Sequence, residues 1–354
     1  MAENKKEGYT SISTLGEFGL IEKLTAHLKK YNESSNTVAG DDGAVIKYEG
    51  EEHTVISSDM FLEGVHFDLL YTPLLHLGYK CIVAAISDIV AMNAKPGQVL
   101  VNLAISNKYS VEMVEELYKG METACANYKV DVVGGDTSSS RTGMVLSITA
   151  LGSAPASKIV YRTGAKTGDI VCVTGDLGAA YLGLQLLERE KRVLAADPQM
   201  KPELTGYEYL LQRQLKPETR VDVIHLLGEL KLKPTAMIDI SDGLASDLLH
   251  LCNKSNKGVK IYEENIPVDP MAYNAAMDFN LDPTLCALNG GEDYELIFTL
   301  PASEKESVEN DPDITVIGVI TDASEGSRLI TRSGAAHPLQ AQGWNAFPES
   351  GGEA

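Results

Sequence analysis

Six short clusters in this chain set aspartate or glutamate beside glycine or hydroxyl residues, most of them at the edge of an apolar run. They read Gly-Asp-Asp-Gly-Ala-Val (40–45), Ser-Ser-Asp-Met (57–60), Ile-Ser-Asp-Ile-Val (86–90), Gly-Gly-Asp-Thr (134–137), Ile-Asp-Ile-Ser-Asp-Gly (238–243) and Gly-Gly-Glu-Asp-Tyr (290–294). Carboxylates that emerge where strands or buried helices end stay close together only if a cation neutralises them. Hard oxygen ligands favour Mg²⁺, which fills the rest of its shell with water and substrate phosphate. The pattern therefore calls for a fold that brings chain-remote acids to one metal-bound polyphosphate.

Asp88 carries the strongest single signal. Ala84, Ala85, Ile86, Ile89, Val90, Ala91 and Met92 cover nearly every face of its helix. A charge there is either paired, in a buried salt bridge or cap, or metal-bound; an isolated buried carboxylate protonates instead. Asp41 and Asp42 lie between two glycines, which fits a ligand loop and equally a solvated Asx turn. Ser57, Ser58 and Asp59 end an apolar strand with three oxygen groups in a row. Gly134 to Ser140 combines free backbone N–H donors, hydroxyls and Asp136, which suits a nucleotide phosphate with its Mg²⁺ and also a plain glycine turn. Asp239 and Ser241 share one face of a strand end, and Asp242 opens the helix that follows. Asp247 reads as an exposed helix residue.

No Gly-Lys-Ser/Thr P-loop and no Gly-x-Gly-x-x-Gly fingerprint occurs. Arg162 suits a bidentate phosphate clamp or the surface. His66, seven residues beyond Asp59, is a structural histidine or a substrate contact.

Length and charge bound the rest. The 354 residues suffice for two domains, and 30 basic against 50 acidic residues give a formal net charge of −20. That balance argues against nucleic-acid and anionic-membrane partners, which need basic surface. It leaves anionic substrates open, because bound cations reverse the local sign. Five scattered cysteines without zinc-ligand spacing read as buried thiols of a reducing compartment. With no apolar leader region at the N-terminus and no segment read as a membrane span, the expected location is cytoplasmic.

Periodicity predicts helices over residues 14–31, 76–93 and 111–128, the last capped by Ser110, and strands over 53–59, 98–106, 130–133 and 144–153. Beyond a boundary near 155–158 come strands at 169–174, 235–241, 259–263, 294–300 and 315–320. Between them lie helices running to about residue 190 and over 244–252, and a polar stretch with helical patches at 191–220. Residues 321–354 read as turns. The order lacks a strict βαβ repeat, so the expected class is α/β (α+β), with two α/β sandwich domains over 1–155 and 156–354.

Taken in order, these clusters resemble the thiamine-monophosphate kinase family of the superfamily that includes aminoimidazole ribonucleotide synthetase. The match runs from Gly-Glu-Phe (16–18) to Gly-Trp-Asn-Ala-Phe (343–347) and is most specific in Glu-Gly-Val-His-Phe, Ser-Asp-Ile-Val-Ala-Met, Ile-Ser-Asp-Gly-Leu and Gly-Gly-Glu-Asp-Tyr-Glu-Leu. The resemblance implies ATP-dependent phosphorylation of thiamine monophosphate to thiamine diphosphate. It implies several Mg²⁺ ions on Asp42, Ser57, Ser58, Asp59, Asp88, Asp136, Asp239 and Asp242, with K⁺ a further candidate. Tyr118, Gly135, Asp136, Arg162 and Ser241 would hold ATP. His66, Glu292 and Trp344 would meet thiamine monophosphate, an indole suiting a cationic ring.

The same resemblance implies a homodimer in which N-terminal sheets pair, with the C-terminal domain closing over the site. Two other readings stand beside it. Another synthetase of the superfamily is one, although residues 1–50 lack the reactive cysteine of a selenophosphate synthetase. A non-catalytic divalent-cation binder is the other, although no Asp-x-Asp-x-Asp-Gly loop is present.

Overall fold

The computed structural model describes residues 12–36 and 40–343. After α1 (Gly16–Thr25) the first half builds β1 (Ala44–Lys47), β2 (Glu52–Leu62), α2 (Leu74–Ala91), β3 (Lys95–Ile105), α3 (Val111–Tyr128), β4 (Asp131–Ser139) and β5 (Val145–Pro155). Its sheet has the order β1-β2-β5-β3-β4, antiparallel except for the β3–β4 pair. A parallel pair needs a crossover, and α3 supplies it. Alternate residues of β2, β3 and β5, among them Val55, Phe61, Val99, Leu103, Leu146 and Ile148, turn into one core with α2 and α3.

The second half runs β6 (Ile170–Thr174), α4 (Ala179–Ala196), α5 (Glu208–Leu215), α6 (Val221–Glu229), β7 (Ala236–Asp239), α7 (Leu244–Ser255) and β8 (Lys257–Tyr262). It continues through α8 (Pro270–Asp278), α9 (Pro283–Asn289), β9 (Leu296–Leu300), β10 (Ile314–Asp322), β11 (Ser327–Ile330) and β12 (Ala336–Pro338). Seven strands form a sheet of order β12-β11-β8-β10-β6-β9-β7. α7 and α9 contribute to the core on one face, and α6 to that on the other. The architecture is thus mixed α/β with two sheets, as the sequence implies.

α2 belongs to both halves. Most of its residues pack under the first sheet, while Val90 and Ala91 join the α6 side of the second. That shared burial explains why the helix is apolar on every side. It is also the one described helix long and apolar enough to cross a membrane, a feature the sequence reading missed, and 78% of that window is buried inside the protein.

α2 meets α3 at two glycines. A Cβ on Gly78 would stand 1.9 Å from the Leu117 carbonyl oxygen, and one on Gly120 would stand 1.9 Å from that of Leu75. Only hydrogen at both sites lets the backbones touch. Gly120→Ala should cost about 1–3 kcal/mol through forced separation of the helices. A urea unfolding midpoint equal to that of the parent protein would show that the crossing can give way.

Several expectations need correction. Residues 14–31 give a helix only over Gly16–Thr25, and Leu24 and Leu28 beyond its packed part are 65% and 62% exposed. Without a core beneath those side chains the helix has nothing to extend it. The run from Gly134 to Ser139, read as a loop, continues β4 as an edge strand exposed at all nine positions. Gly135 makes this possible: at φ +150° its absent Cβ would lie 1.7 Å from the Val101 carbonyl oxygen of β3. α8 and α9 were not foreseen, although each opens with an Asp-Pro pair whose aspartate caps the first turn. β11 and β12 lie within a stretch read as turns. Ser110 does cap α3, accepting from the Met113 N–H at 3.3 Å.

Candidate active site

Three acids from three parts of the chain converge where α2 passes between the sheets. Asp42 precedes β1, Asp88 lies in the last turn of α2, and Asp239 ends β7; each offers an oxygen within 4.8 Å of the others. The strand and helix ends deliver them, and their hydrogen bonds orient them. Ser57 donates to Asp88, and Ser87 donates to Asp239 at 2.7 Å. Asp59 is on the same face of β2 as Ser57 and joins the group electrostatically.

Burial and mutual repulsion dominate the ionisation of this group. Burial, then Asp59, Asp239 and Asp42, push the Asp88 carboxyl far above the usual carboxylate range. Asp239 is raised to about 7 by burial first and then by Asp42. Asp59 is raised to about 6 by burial and by Asp42. Asp42 is raised chiefly by burial, against the pull of Arg162. One oxygen each of Asp42 and Asp59 is buried without a hydrogen-bond partner. Orphaned oxygens and repelling carboxylates are what an oxygen-ligated divalent cation would satisfy, so the donor set fits Mg²⁺.

Arg162 frames one side. Its guanidinium meets Asp42 at 2.5 Å, and its backbone N–H donates to Asp41 at 2.7 Å. The structure thus separates the two neighbouring aspartates: Asp42 enters the cluster, while Asp41 anchors the segment after β5. Arg162 is neither a surface residue nor an unpaired clamp, and only its Nε remains buried without a partner. The Ser241–Gly243 turn comes next. Asp242 is raised to about 6 by burial and then by Glu17, and it lines a cavity of about 450 Å³ with Phe18 and His250.

Asp247, read as exposed, is buried and accepts the N–H groups of Ser241, Asp242 and Gly243, each at 3.1 Å. Its apolar neighbours Leu244, Ala245 and Leu248 were the signal for that burial.

On the other side stands Glu292. Lys80 of α2 binds one of its oxygens at 2.8 Å, and Gln214 of α5 donates to the other at 2.9 Å. His66 lies nearby, its Nδ1 accepting the Leu62 N–H at 3.1 Å. Burial first, with the opposing influence of Glu292 and the repulsion of Lys80, holds it below its ordinary value and so neutral near pH 7. Lys80 and Gln214 escaped the sequence reading, although a lysine inside so apolar a helix is itself a signal.

Three expected residues stand apart from this centre. Ser58 points to the opposite face of β2, where it meets Thr149 at 3.0 Å, because side chains alternate along a strand. Its hydroxyl is not part of the cluster. Asp136 is exposed on β4 and outside the trio. Tyr118 lines a separate cavity of about 530 Å³ between α3 and β4. Trp344 lies outside the described residues.

The comparisons fit this geometry. Residues 40–154 match the AIR synthase related protein, N-terminal domain, and residues 166–330 match its C-terminal domain. The thiamine-monophosphate kinase of Aquifex aeolicus is 34% identical over 95% of this chain and 99% of its own. That of Bacillus subtilis is 31% identical over 94% of this chain and 100% of its own. The chain belongs to the thiamine-monophosphate kinase family.

A solved structure of AaThiL complexed with AMPPCP and TMP superposes with a TM-score of 0.81 at 32% identity, covering 96% of this chain and 100% of that one. The hydrogenase maturation protein HypE in complex with ATP, at 18% identity and a TM-score of 0.65, shares the fold. Helix α2 links the trio to the Glu292 group, because it carries both Asp88 and Lys80.

Proposed function

We propose that this chain transfers the γ-phosphoryl group of ATP directly to thiamine monophosphate, giving thiamine diphosphate and ADP. The observation that carries the reading is the convergence of Asp42, Asp88 and Asp239 between Arg162 on one side and the Glu292–Lys80–His66 group on the other. The related AaThiL structure, which holds an ATP analogue and TMP, supports it. Asp42, Asp59, Asp88 and Asp239 would hold Mg²⁺ ions, with Ser57, Asp136 and Asp242 as further donors. A bound Mg²⁺ supplies the positive charge that lets two phosphate groups approach.

The acceptor is itself a phosphate oxygen, ionised at neutral pH, so no strong general base is required. The protein's own work is placement and charge compensation around an in-line displacement. Arg162 and the Ser241 turn face the polyphosphate, while Tyr118 and the Gly135–Asp136 strand offer room for the nucleotide. Neutral His66 and the oriented Glu292 face the acceptor. The first half, residues 1–155, would bind ATP and pair with a second copy through exposed β4, where Val132 and Val133 are 44% and 57% exposed. Residues 156–354 would close over the site. Five free, buried cysteines suit a reducing, cytoplasmic setting.

The decisive experiment is ADP release from ATP and Mg²⁺, with and without thiamine monophosphate, in K⁺ and in Na⁺ buffers. Release that depends on the acceptor is expected. Its absence in both buffers would falsify the assignment.

A further inference from the structure

We infer that Lys80 is a positioning residue for the acceptor: it orients the Glu292 carboxylate and ties that half of the site to the metal half through α2. Lys80 is 5% exposed, inside the helix that also carries Asp88. Its ammonium meets the Glu292 carboxylate at 2.8 Å and the Gln214 carbonyl at 3.0 Å. Both partners come from the second half of the chain, so the cation spans the junction.

Ser87, seven residues further along the same face of α2, donates to Asp239. Two turns of helix, about 10 Å, therefore separate the fastening of the acceptor carboxylate from the fastening of the metal carboxylate.

Glu292 needs such fastening. It adopts φ +66°, and Tyr294 adopts +52°, both in the left-handed region that non-glycine residues avoid. The Glu292 N–H bonds the Ser241 carbonyl, and the Tyr294 N–H bonds that of Ile240, so this turn is laced to the strand end beside Asp239. Lys80 and Gln214 take one lone pair on each Glu292 oxygen. The remaining lone pairs are left to accept N–H donors of a bound heterocycle. Strain of this kind persists where surrounding structure over-determines it, commonly at ligand clamps.

The inference rests on the acceptor-side role proposed above for Glu292. Its test is a double-mutant cycle read by steady-state kinetics. Lys80→Met should raise the KM for thiamine monophosphate about tenfold and leave the KM for ATP within about twofold. Glu292→Gln should do the same. The double variant should be no worse than Glu292→Gln alone, because Lys80 acts through that carboxylate.

Multiplied losses, or equal rises in both KM values, would overturn the role. If Lys80→Met does not fold, Gln214→Leu, which removes only the other donor to Glu292, reads the same property. An unchanged KM for thiamine monophosphate there is equally fatal. Absence of acceptor-dependent ADP release by the parent protein overturns the functional reading and this role with it. Normal release without coupling overturns the role alone.

Discussion

Asp88→Asn is expected to lower turnover on the order of 10³-fold while leaving a folded protein that, without Mg²⁺, melts higher than its parent. The two effects share one cause. Asp88 is opposed by burial first and then by its neighbours Asp59, Asp239 and Asp42. An amide keeps its shape and its bond from Ser57 but removes the charge that a cation and two phosphates would need. Each kcal/mol of repulsion relieved should raise Tm by about 1–2 °C in a chain of this size.

The gain depends on pH, and its sign follows from the raised carboxyls. Asp59, near 6, and Asp239, near 7, are raised in the folded state above the ordinary aspartate value of about 3.9. Their protonation therefore favours the metal-free fold in full below the ordinary aspartate value, and the benefit is lost as pH rises through 6 to 7. The Tm difference between variant and parent should be small at pH 5 and larger at pH 8. Calorimetry at both pH values, with turnover at saturating Mg²⁺, checks the set. Near-normal turnover would sink the metal role of Asp88.

Glu295→Ala is expected to destabilise the protein by about 3–5 kcal/mol, the largest loss from any single site outside the core. Glu295 is 1% exposed and receives Arg213 and Arg220, each at 3.0 Å. The Thr174 hydroxyl also donates to it. Truncation would remove the carboxylate that two largely buried guanidinium groups share, leaving Arg220 with Asp222 and Arg213 with backbone carbonyls. Arg213 also donates to the carbonyls of Asp176 and Asp293, so the turn that presents Glu292 should loosen as well. Urea unfolding gives the stability, and Glu295→Gln, which keeps the acceptor oxygen, should recover part of it. A loss below about 1 kcal/mol would mean that solvent reaches the arginines readily.

Much of the centre was legible because its chemistry is local in sequence. Asp42, Asp59, Asp88 and Asp239 each sit at the edge of an apolar run, and that edge is where an element ends and a side chain can meet a ligand. Asp88 needed only the observation that its helix has no polar face.

What stayed hidden was relational. Nothing near Lys80 or Gln214 says that a helix from each half would meet over Glu292. Arg162 gave no sign of its partner because Asp42 lies 120 residues away. Ser58 stands apart from the cluster for a simpler reason: in a strand, three consecutive side chains cannot share a face. Asp136 and Tyr118 remain apart from the trio because one chain places them on an exposed edge strand and on a helix face lining a separate cavity.

The buried ion pairs have one more effect. Arg162, Arg213, Arg220 and Lys80 spend their charge internally against Asp42, Glu295 and Glu292. Those pairs keep four of the 30 basic residues inside, where they do little to offset the acidic exterior of a chain whose formal net charge is −20. A bare nucleotide tetra-anion arriving from solution meets a repelling field, whereas the same nucleotide already carrying its divalent ion meets a weaker one. Encounter should therefore quicken, not slow, as added salt shortens the range of that field.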